Sequence, residues 1–303
     1  MIDISIEGKK YLLPESWDDI TARDLSIISD LYTRFYTTQD FLKFALIRLL
    51  GIRRYLVRYR DQLAFARGIY RMVPFPFVVR HGISKGKVKV FPQEDLLVLS
   101  QTLTWINTPT SKVTLTRNLL QGITIRRKPF FRIHASGPAD FLVDVTAFEY
   151  SKAETAFLEY CSSLDPAKLN ELVGALYRPK KWFWRIEKLF SGKDCPPRLE
   201  YTGTTFGRKS YSSFSAGLKD RYSVLLYFQG CRNRLIDLYP FVFSTGDSSG
   251  EHSSGWAGVF RALTNENIAG IDKILELPIH TVLFDLNEKI RINKQRQNQH
   301  SNG

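Results

Sequence analysis

Two stretches of this 303-residue chain carry residue types that could act on phosphates or esters. "GTTFGRKS" at 203–210 holds the glycines, lysine and serine of a phosphate-binding loop. That loop needs four residues between its glycines and a lysine directly after the second, whereas here three intervene and Arg208 precedes Lys209. "GDSSGEHSSG" at 246–255 contains serine, aspartate and histidine but lacks the GxSxG strand-to-helix turn of hydrolases. We therefore predict neither a nucleotide site nor a hydrolase nucleophile.

Thiol and metal chemistry are not indicated by the spacing of cysteine and histidine. Cys161, Cys195 and Cys231 lie more than 30 residues from one another, without a CxxC pair or a histidine at ligand spacing. The five histidines are scattered. We predict no metal, no cofactor and no disulfide framework, and expect these side chains to serve packing or the surface.

Paired carboxylates occur at Asp18 with Asp19 and at Glu149 with Glu154. The first pair flanks a helix start, and the second suits the solvated face of a helix. General acid or base catalysis requires burial or coupling that shifts a pKa. We predict a protein that is not an enzyme; the alternative, an enzyme with an unrecognised site, would show a buried cleft with coupled acids or a Cys and His pair.

The net charge of +13 is concentrated in three windows. The excess of Lys and Arg over Asp and Glu is +5 at 53–71, +4 at 123–134 and +5 at 178–193, and each window contains aromatic residues. Such clusters arise on amphipathic helices with a solvated basic face, and they also bind nucleic acid or acidic proteins. The predicted partner-binding residues are Arg53, Arg54, Arg58, Arg178, Lys180, Lys181 and Arg185.

The pattern of apolar residues and helix caps predicts a mainly α fold with minor β, packed like a helical bundle. An N-terminal hairpin is expected, followed by helices that begin at Thr21 and near Phe41 and by an arginine-rich third helix running towards Arg71. "GITIRRKPFFRIH" alternates and predicts a short central β segment. Three further signals predict the helices that follow: a capping box at Thr146 and Glu149, Asp165 as N-cap before Pro166, and an apolar stripe after Pro278.

The polar stretch "NTPTSK" at 107–112 is the expected internal boundary. We predict an N-terminal hairpin and helical region at 1–108, a short β segment and helical region at 109–297, and a flexible tail at 298–303. No apolar run reaches the roughly 18 residues of a membrane span, and the N-terminus lacks a secretory pattern. A cytoplasmic protein without a membrane partner is expected.

The stretch "GPADFLVDVTAFEYSKAETAFLEYCSSLDPAKLNELVGALYRP" resembles a poorly characterised protein family of phages and prophage-like elements of Bacteroidetes. The features shared are a Gly-Pro turn at Gly137 and Pro138, a Thr-x-x-Glu helix start at Thr146, and the closing Leu-Tyr-Arg-Pro at 176–179. The opening "PESWDDITARDL" is similar to tail-assembly chaperones. The resemblance implies a role in virion or tail morphogenesis, in the host cytoplasm or with the virion.

The cluster of basic and aromatic residues around and after Pro179 has two interpretations, which are compatible with each other. Trp182 or Trp184 is expected to pack the next segment onto the preceding helix, while Arg178, Lys180, Lys181 and Arg185 point outward as a partner-facing rim. The leading hypothesis is therefore an assembly or interaction protein that binds another virion component, with a virion or tail protein as the partner. The alternative is a nucleic-acid-binding protein of a mobile element.

Overall fold

The chain is mainly α-helical with small antiparallel sheets, which confirms the predicted fold class. A computed structural model describes residues 1–6, 9–35, 41–50, 54–59, 62–67, 77–79, 89–90, 98–107, 112–127, 131–179, 198, 214–243, 256, 260, 263 and 268–301. The chain divides into two compact units, Met1–Val113 and Thr114–Gly303. The composition predicts the boundary a few residues earlier, between 108 and 109.

The first unit begins with the expected hairpin and continues into two helices. Thr21 and Asp24 form the predicted capping box: the Thr21 N–H donates to Asp24 Oδ2 at 3.0 Å, and the Asp24 N–H donates to Thr21 Oγ1 at 3.3 Å. Leu25, Ile28 and Phe41 are buried, as their helical spacing indicates. The elements are β1 (Ile2–Ile6), β2 (Lys9–Leu13), α1 (Ala22–Phe35), α2 (Phe41–Leu49), β3 (Arg54–Tyr59), β4 (Gln62–Arg67), β5 (Phe77–Val79), β6 (Lys89–Val90) and α3 (Thr104–Asn107).

The arginine-rich stretch that we predict as a third helix is a hairpin, so that prediction is wrong. β3 and β4 pair antiparallel from Arg54 opposite Arg67 to Tyr59 opposite Gln62, and β5 adds to the other edge of β3. β3 reads "RYLVRY", in which a β-branched residue and two tyrosines favour a pleated strand over a helix. Arginine spacing alone is compatible with either structure.

The second unit packs helices against a four-stranded sheet. β7 and β8 confirm the predicted central β segment, and the sheet order is β10-β7-β8-β9. Both predicted helix starts are confirmed, because Thr146 and Glu149 form a capping box and Asp165 accepts from the Ala167 N–H. The elements are β7 (Gly122–Arg127), β8 (Phe131–Ser136), α4 (Ala147–Ser163), α5 (Pro166–Leu176), β9 (Arg178–Pro179), β10 (Phe214–Ala216), α6 (Leu218–Leu238), α7 (Pro240–Phe243), α8 (Ile268–Glu276) and α9 (Ile279–Ser301).

The core of this unit lies between α4, α5 and α6. Helices α4 and α5 form a helical hairpin, closed by Leu164 in the left-handed conformation with φ 55°. Phe228 of α6 lies against two rings of α4, with centroids 5.7 Å from Tyr150 and 5.5 Å from Phe157. Each such buried aromatic side chain contributes about 1.5–3 kcal/mol of hydrophobic stabilisation.

Residues 114–120 have no regular secondary structure, and Leu115 and Thr116 lie directly on α6. Gly230 makes this approach possible, because a Cβ there would lie 2.6 Å from the Leu115 nitrogen. The Cys231 thiol lies 3.8 Å from the Thr116 carbonyl oxygen, and Leu115 is fully buried. The start of the second unit is thus built into its core.

The last helix, α9, is anchored at its N-terminal end. Thr146 and Pro278 form a β-bridge, and the Ile279 N–H donates to the Val145 carbonyl at 2.9 Å. Ile279, Val282, Leu283 and Leu286 are buried, three of which belong to the predicted stripe. The helix continues to Ser301, so the tail predicted as flexible from 298 is helical through Ser301. Lysine, arginine and glutamine are good helix formers, and neither proline nor glycine interrupts them before Gly303.

Candidate functional site

The predicted partner-binding residues lie in different parts of the fold. Arg54 and Arg58 lie in strand β3 of the first unit. Arg178 opens strand β9 of the second unit. The other predicted residues, and the two tryptophans expected to pack in the core, fall outside the described residues: Arg53, Lys180, Lys181, Arg185, Trp182 and Trp184.

Arg178 is buried and does not lie on the outward-facing rim that we predict. β9 pairs with β8 through Arg178 opposite Ser136, and the Arg178 Nη1 lies 2.6 Å from Glu149 Oε1. The side chains of Arg178 and Glu149 are only 3% and 5% exposed. The turn after α5 therefore directs this guanidinium onto the first turn of α4.

Arg178 belongs to a cluster of two carboxylates and two guanidiniums, which we call the acid–arginine cluster: Asp144, Glu149, Arg178 and Arg198. Arg198 Nη2 lies 2.8 Å from Asp144 Oδ2 and 3.9 Å from Glu149 Oε2. The two positive and two negative side chains balance, which is how charged groups are accommodated in a protein interior.

Arg198 also satisfies backbone groups. Its Nη1 donates to the carbonyl of Leu176, the last residue of α5, at 2.9 Å, and its Nη2 donates to the Asp144 carbonyl at 3.0 Å. The last carbonyls of a helix have no partner within the helix, and a cation there interacts favourably with the helix dipole. The acid–arginine cluster thus ties the end of α5, strand β9 and the start of α4 together.

A second buried pair joins α4 to α6. Arg232 Nε donates to Glu154 Oε1 at 2.7 Å, and the Tyr150 hydroxyl donates to Glu154 Oε2 at 3.4 Å. Burial raises the pKa of Glu154 and, more strongly, that of Tyr150. Our prediction that Glu149 and Glu154 lie on a solvated face is wrong, because both are buried where α4 meets its neighbours.

The described cysteines have different environments. Cys161 is exposed on α4, whereas Cys231 is buried on α6, and neither forms a disulfide. Burial raises the pKa of the Cys231 thiol to about 12, which keeps it protonated and unreactive at neutral pH. Cys195 falls outside the described residues, as do the stretches 203–210 and 246–255. Within the part of the chain that the structure describes, no three His, Cys, Asp or Glu side chains converge at a spacing suited to a metal ion.

The end of α9 is a cationic surface that the three charge windows do not include. All nine residues from 291 to 299 are exposed, and we call this segment the basic arm. It carries Arg291, Lys294 and Arg296 without an acidic residue. The sequence already indicates this surface, because the helically spaced apolar residues of α9 end at Ile290 while polar residues that favour helix continue beyond it.

The cations of the basic arm are held only weakly by their neighbours. Arg291 Nη2 lies 2.7 Å from Glu288 Oε2 in an exposed i,i+3 pair. Lys294 Nζ lies 5.5 Å from the centroid of the Phe241 ring. Exposed pairs of these kinds add little net stability, so an anionic partner can displace them.

Comparison with known proteins identifies no relative of this chain. No protein-family model, curated protein or solved structure matches it. Among the described residues, no helix is long and apolar enough to cross a membrane.

Proposed function

We propose that this protein is a non-enzymatic assembly or interaction protein of a phage-like element, and that it acts in the host cytoplasm by docking on a virion or tail component. The docking surface is positively charged. Among the residues that the structure describes, it consists of the basic arm. The phage-like origin rests on the resemblance of the stretch from Gly137 to Pro179. The partner expected first is a virion or tail protein with an acidic surface.

The exposed basic arm is the observation that carries this proposal. Nine consecutive helical residues are exposed, and three of them are cations. The buried ionisable groups, in contrast, join elements of the second unit. Glu149 and Arg178 connect α4 to β9, and Glu154 and Arg232 connect α4 to α6. We therefore assign these buried charges to stability and the exposed ones to recognition.

The test is association with assembling particles. The full chain would be co-expressed with the co-encoded capsid and tail proteins, and its sedimentation with them followed on a sucrose gradient. An arm variant, Arg291→Gln with Lys294→Gln and Arg296→Gln, is compared with a control variant that removes the same charge from exposed helical positions elsewhere: Arg23→Gln, Arg234→Gln and Lys273→Gln.

The parent and the control variant are expected to sediment with a particle or tail intermediate, and the arm variant is expected to lose at least about tenfold of this association, which corresponds to about 1.4 kcal/mol. Failure of every co-encoded component to associate would contradict the proposal. Equal association of the arm variant and the parent would contradict the role of the basic arm.

A second candidate function is nucleic-acid binding, and one observation favours it. Amide side chains at Asn293, Gln295 and Gln299 alternate with the three cations of the basic arm. Cations neutralise phosphates, and amides are side chains that read base edges.

A further inference from the structure

The cations of the basic arm surround the helix. At 3.6 residues per turn, Lys294 and Arg296 lie about 160° apart around the axis, and Arg291 lies about 60° from Lys294. The nine exposed residues extend over roughly 13 Å at 1.5 Å per residue. A partner that neutralises all three cations must therefore present negative charge on two opposite sides of one helix.

The major groove of duplex DNA has this geometry. Its width of about 12 Å matches the helix diameter of about 10–12 Å with side chains, and phosphates line both of its walls. A flat acidic protein surface would meet Lys294 or Arg296 but not both. The charge arrangement favours a groove between two anionic walls.

The amides of the basic arm fit the floor of such a groove. Asparagine and glutamine donate to and accept from adenine N7 and N6 as a bidentate pair in the major groove. Gln295 and Gln299 are exposed and lie about 40° apart around the axis, on the side between Arg291 and Arg296, whereas Asn293 lies about 160° from Gln295. Contacts to A·T pairs are therefore expected from the same helix that contacts phosphates.

The anchoring of α9 lets the arm bind as a preformed element. Its first two turns are buried through Ile279, Val282, Leu283 and Leu286, and the bridge of Thr146 to Pro278 holds its start. An element already in its bound conformation loses less conformational entropy on association. The C-terminus of a helix carries partial negative charge, so the arm is expected to lie along the groove rather than to meet a phosphate with its tip.

We propose that the basic arm is a duplex-DNA-binding element that enters the major groove, with Arg291, Lys294 and Arg296 on the phosphates and with Gln295 and Gln299 facing the bases. This inference rests on the proposed function in taking the basic arm as the docking surface, and it replaces the acidic protein expected first as the partner of the arm with the DNA of the particle or element.

The experiment is fluorescence anisotropy of the full chain with a labelled 25-bp duplex across a salt series. Three phosphate contacts contribute about −2.7 to the slope of log affinity against log salt, which is roughly 40-fold between 50 and 200 mM salt. The arm variant is expected to lose this contribution. The control variant at Arg23, Arg234 and Lys273 is expected to keep it, although both variants have the same net charge. Circular dichroism shows that each variant retains its helices.

Groove-specific competitors and an amide variant test the mode of binding. Methyl green, which occupies the major groove, is expected to displace the protein, whereas netropsin, which occupies the minor groove, is not. The variant Gln295→Ala with Gln299→Ala is expected to keep the salt slope and to lose discrimination between A·T-rich and G·C-rich duplexes. Displacement by netropsin alone, or an unchanged slope in the arm variant, would overturn the inference.

Three further outcomes separate this inference from the proposed function. If the arm variant leaves the particle but neither it nor the parent binds duplex, the arm contacts an acidic protein, and the DNA inference fails while the proposed function stands. Stronger competition by polyglutamate than by unlabelled duplex of equal charge would overturn the DNA inference in the same way. If the arm variant loses DNA binding and still joins the particle, the proposed docking role fails instead.

Discussion

Replacing Arg178 tests whether the acid–arginine cluster is structural. Arg178→Met removes the group that lies 2.6 Å from Glu149 and leaves Arg198 Nη2, at 3.9 Å, as the nearest cation in the cluster. At an effective dielectric constant of about 20, the lost attraction is about 6 kcal/mol. Part of this lost attraction is offset, because the variant no longer has to remove a charged arginine from water on folding. Breaking a buried pair by removing one partner destabilises proteins by about 3–5 kcal/mol, and we expect a loss in this range.

Hydrogen exchange of the full chain, followed by mass spectrometry, measures this loss locally. The two units can unfold separately, so one global unfolding midpoint would not isolate the effect. Amides of α4 and α5 are expected to exchange between about 100-fold and several thousand-fold faster, at tenfold per 1.4 kcal/mol. Adding Glu149→Gln to Arg178→Met is expected to recover part of the loss, because it removes the unpaired buried charge and leaves an amide oxygen as helix cap.

Lys168→Met is the matched control. The Lys168 and Glu159 pair is equally short at 2.7 Å, but its side chains are 30% and 46% exposed. Exposed pairs add little net stability, so we expect Lys168→Met to accelerate exchange far less than Arg178→Met does. The reasoning is refuted if Arg178→Met changes exchange no more than Lys168→Met. Loss of particle association by Arg178→Met with unchanged exchange would restore Arg178 as a docking residue.

Three further predictions concern the core of the second unit. Gly230→Ala is expected to destabilise this unit by about 1–3 kcal/mol in the same exchange measurement, because its Cβ would clash with backbone atoms of Leu115. Gly217→Ala is the control: its Cβ would lie 3.4 Å from a side-chain oxygen of Asp220, and it should change stability by less than about 1 kcal/mol. Because burial raises the folded pKa of Glu154 above its ordinary 4.5, the folded state binds more protons than the unfolded state above that pH, so stability falls as pH rises. In the same exchange measurement, α4 and α6 of Glu154→Gln should therefore gain protection relative to the parent as pH rises above 4.5, and a difference that stays constant with pH would contradict this. Iodoacetamide labelling with peptide mapping should modify Cys231 only under denaturing conditions, and rapid modification of the native protein would contradict its burial.

The elements that could be predicted from the sequence are those whose signals are local. The capping boxes at Thr21 and Thr146, the N-cap at Asp165 and the apolar stripe of α9 all depend on residues within a few turns of one another. The helix predicted towards Arg71 fails because arginine is compatible with both helix and strand. The pairing of Arg54 opposite Arg67 depends on where the chain turns, which residue types alone leave open.

The acid–arginine cluster could not be predicted from the sequence, because its members come from three separate parts of the chain. The capping box correctly predicts the local role of Glu149 but not its burial, which comes from β9 and from Arg198. Arg178 follows a predicted helix end, and the direction of its side chain is set by pairing with β8. The sequence shows the basic arm as a polar continuation of the apolar stripe of α9. Only the structure shows that these residues are exposed on a helix whose N-terminal end is anchored in the core, which distinguishes them from a loose tail.

The basic arm separates two kinds of mutational constraint. Since residues 291–299 are exposed, we expect substitutions there to change folding stability little as long as they preserve helix propensity. In saturation mutagenesis with selection for viable particles, the loss of particles on substitution of Arg291, Lys294 or Arg296 would report a loss of recognition. The reason is that these substitutions leave the amount of folded protein nearly unchanged. Intolerance at Gly230 or Glu149 would report only whether the protein survives in the cell.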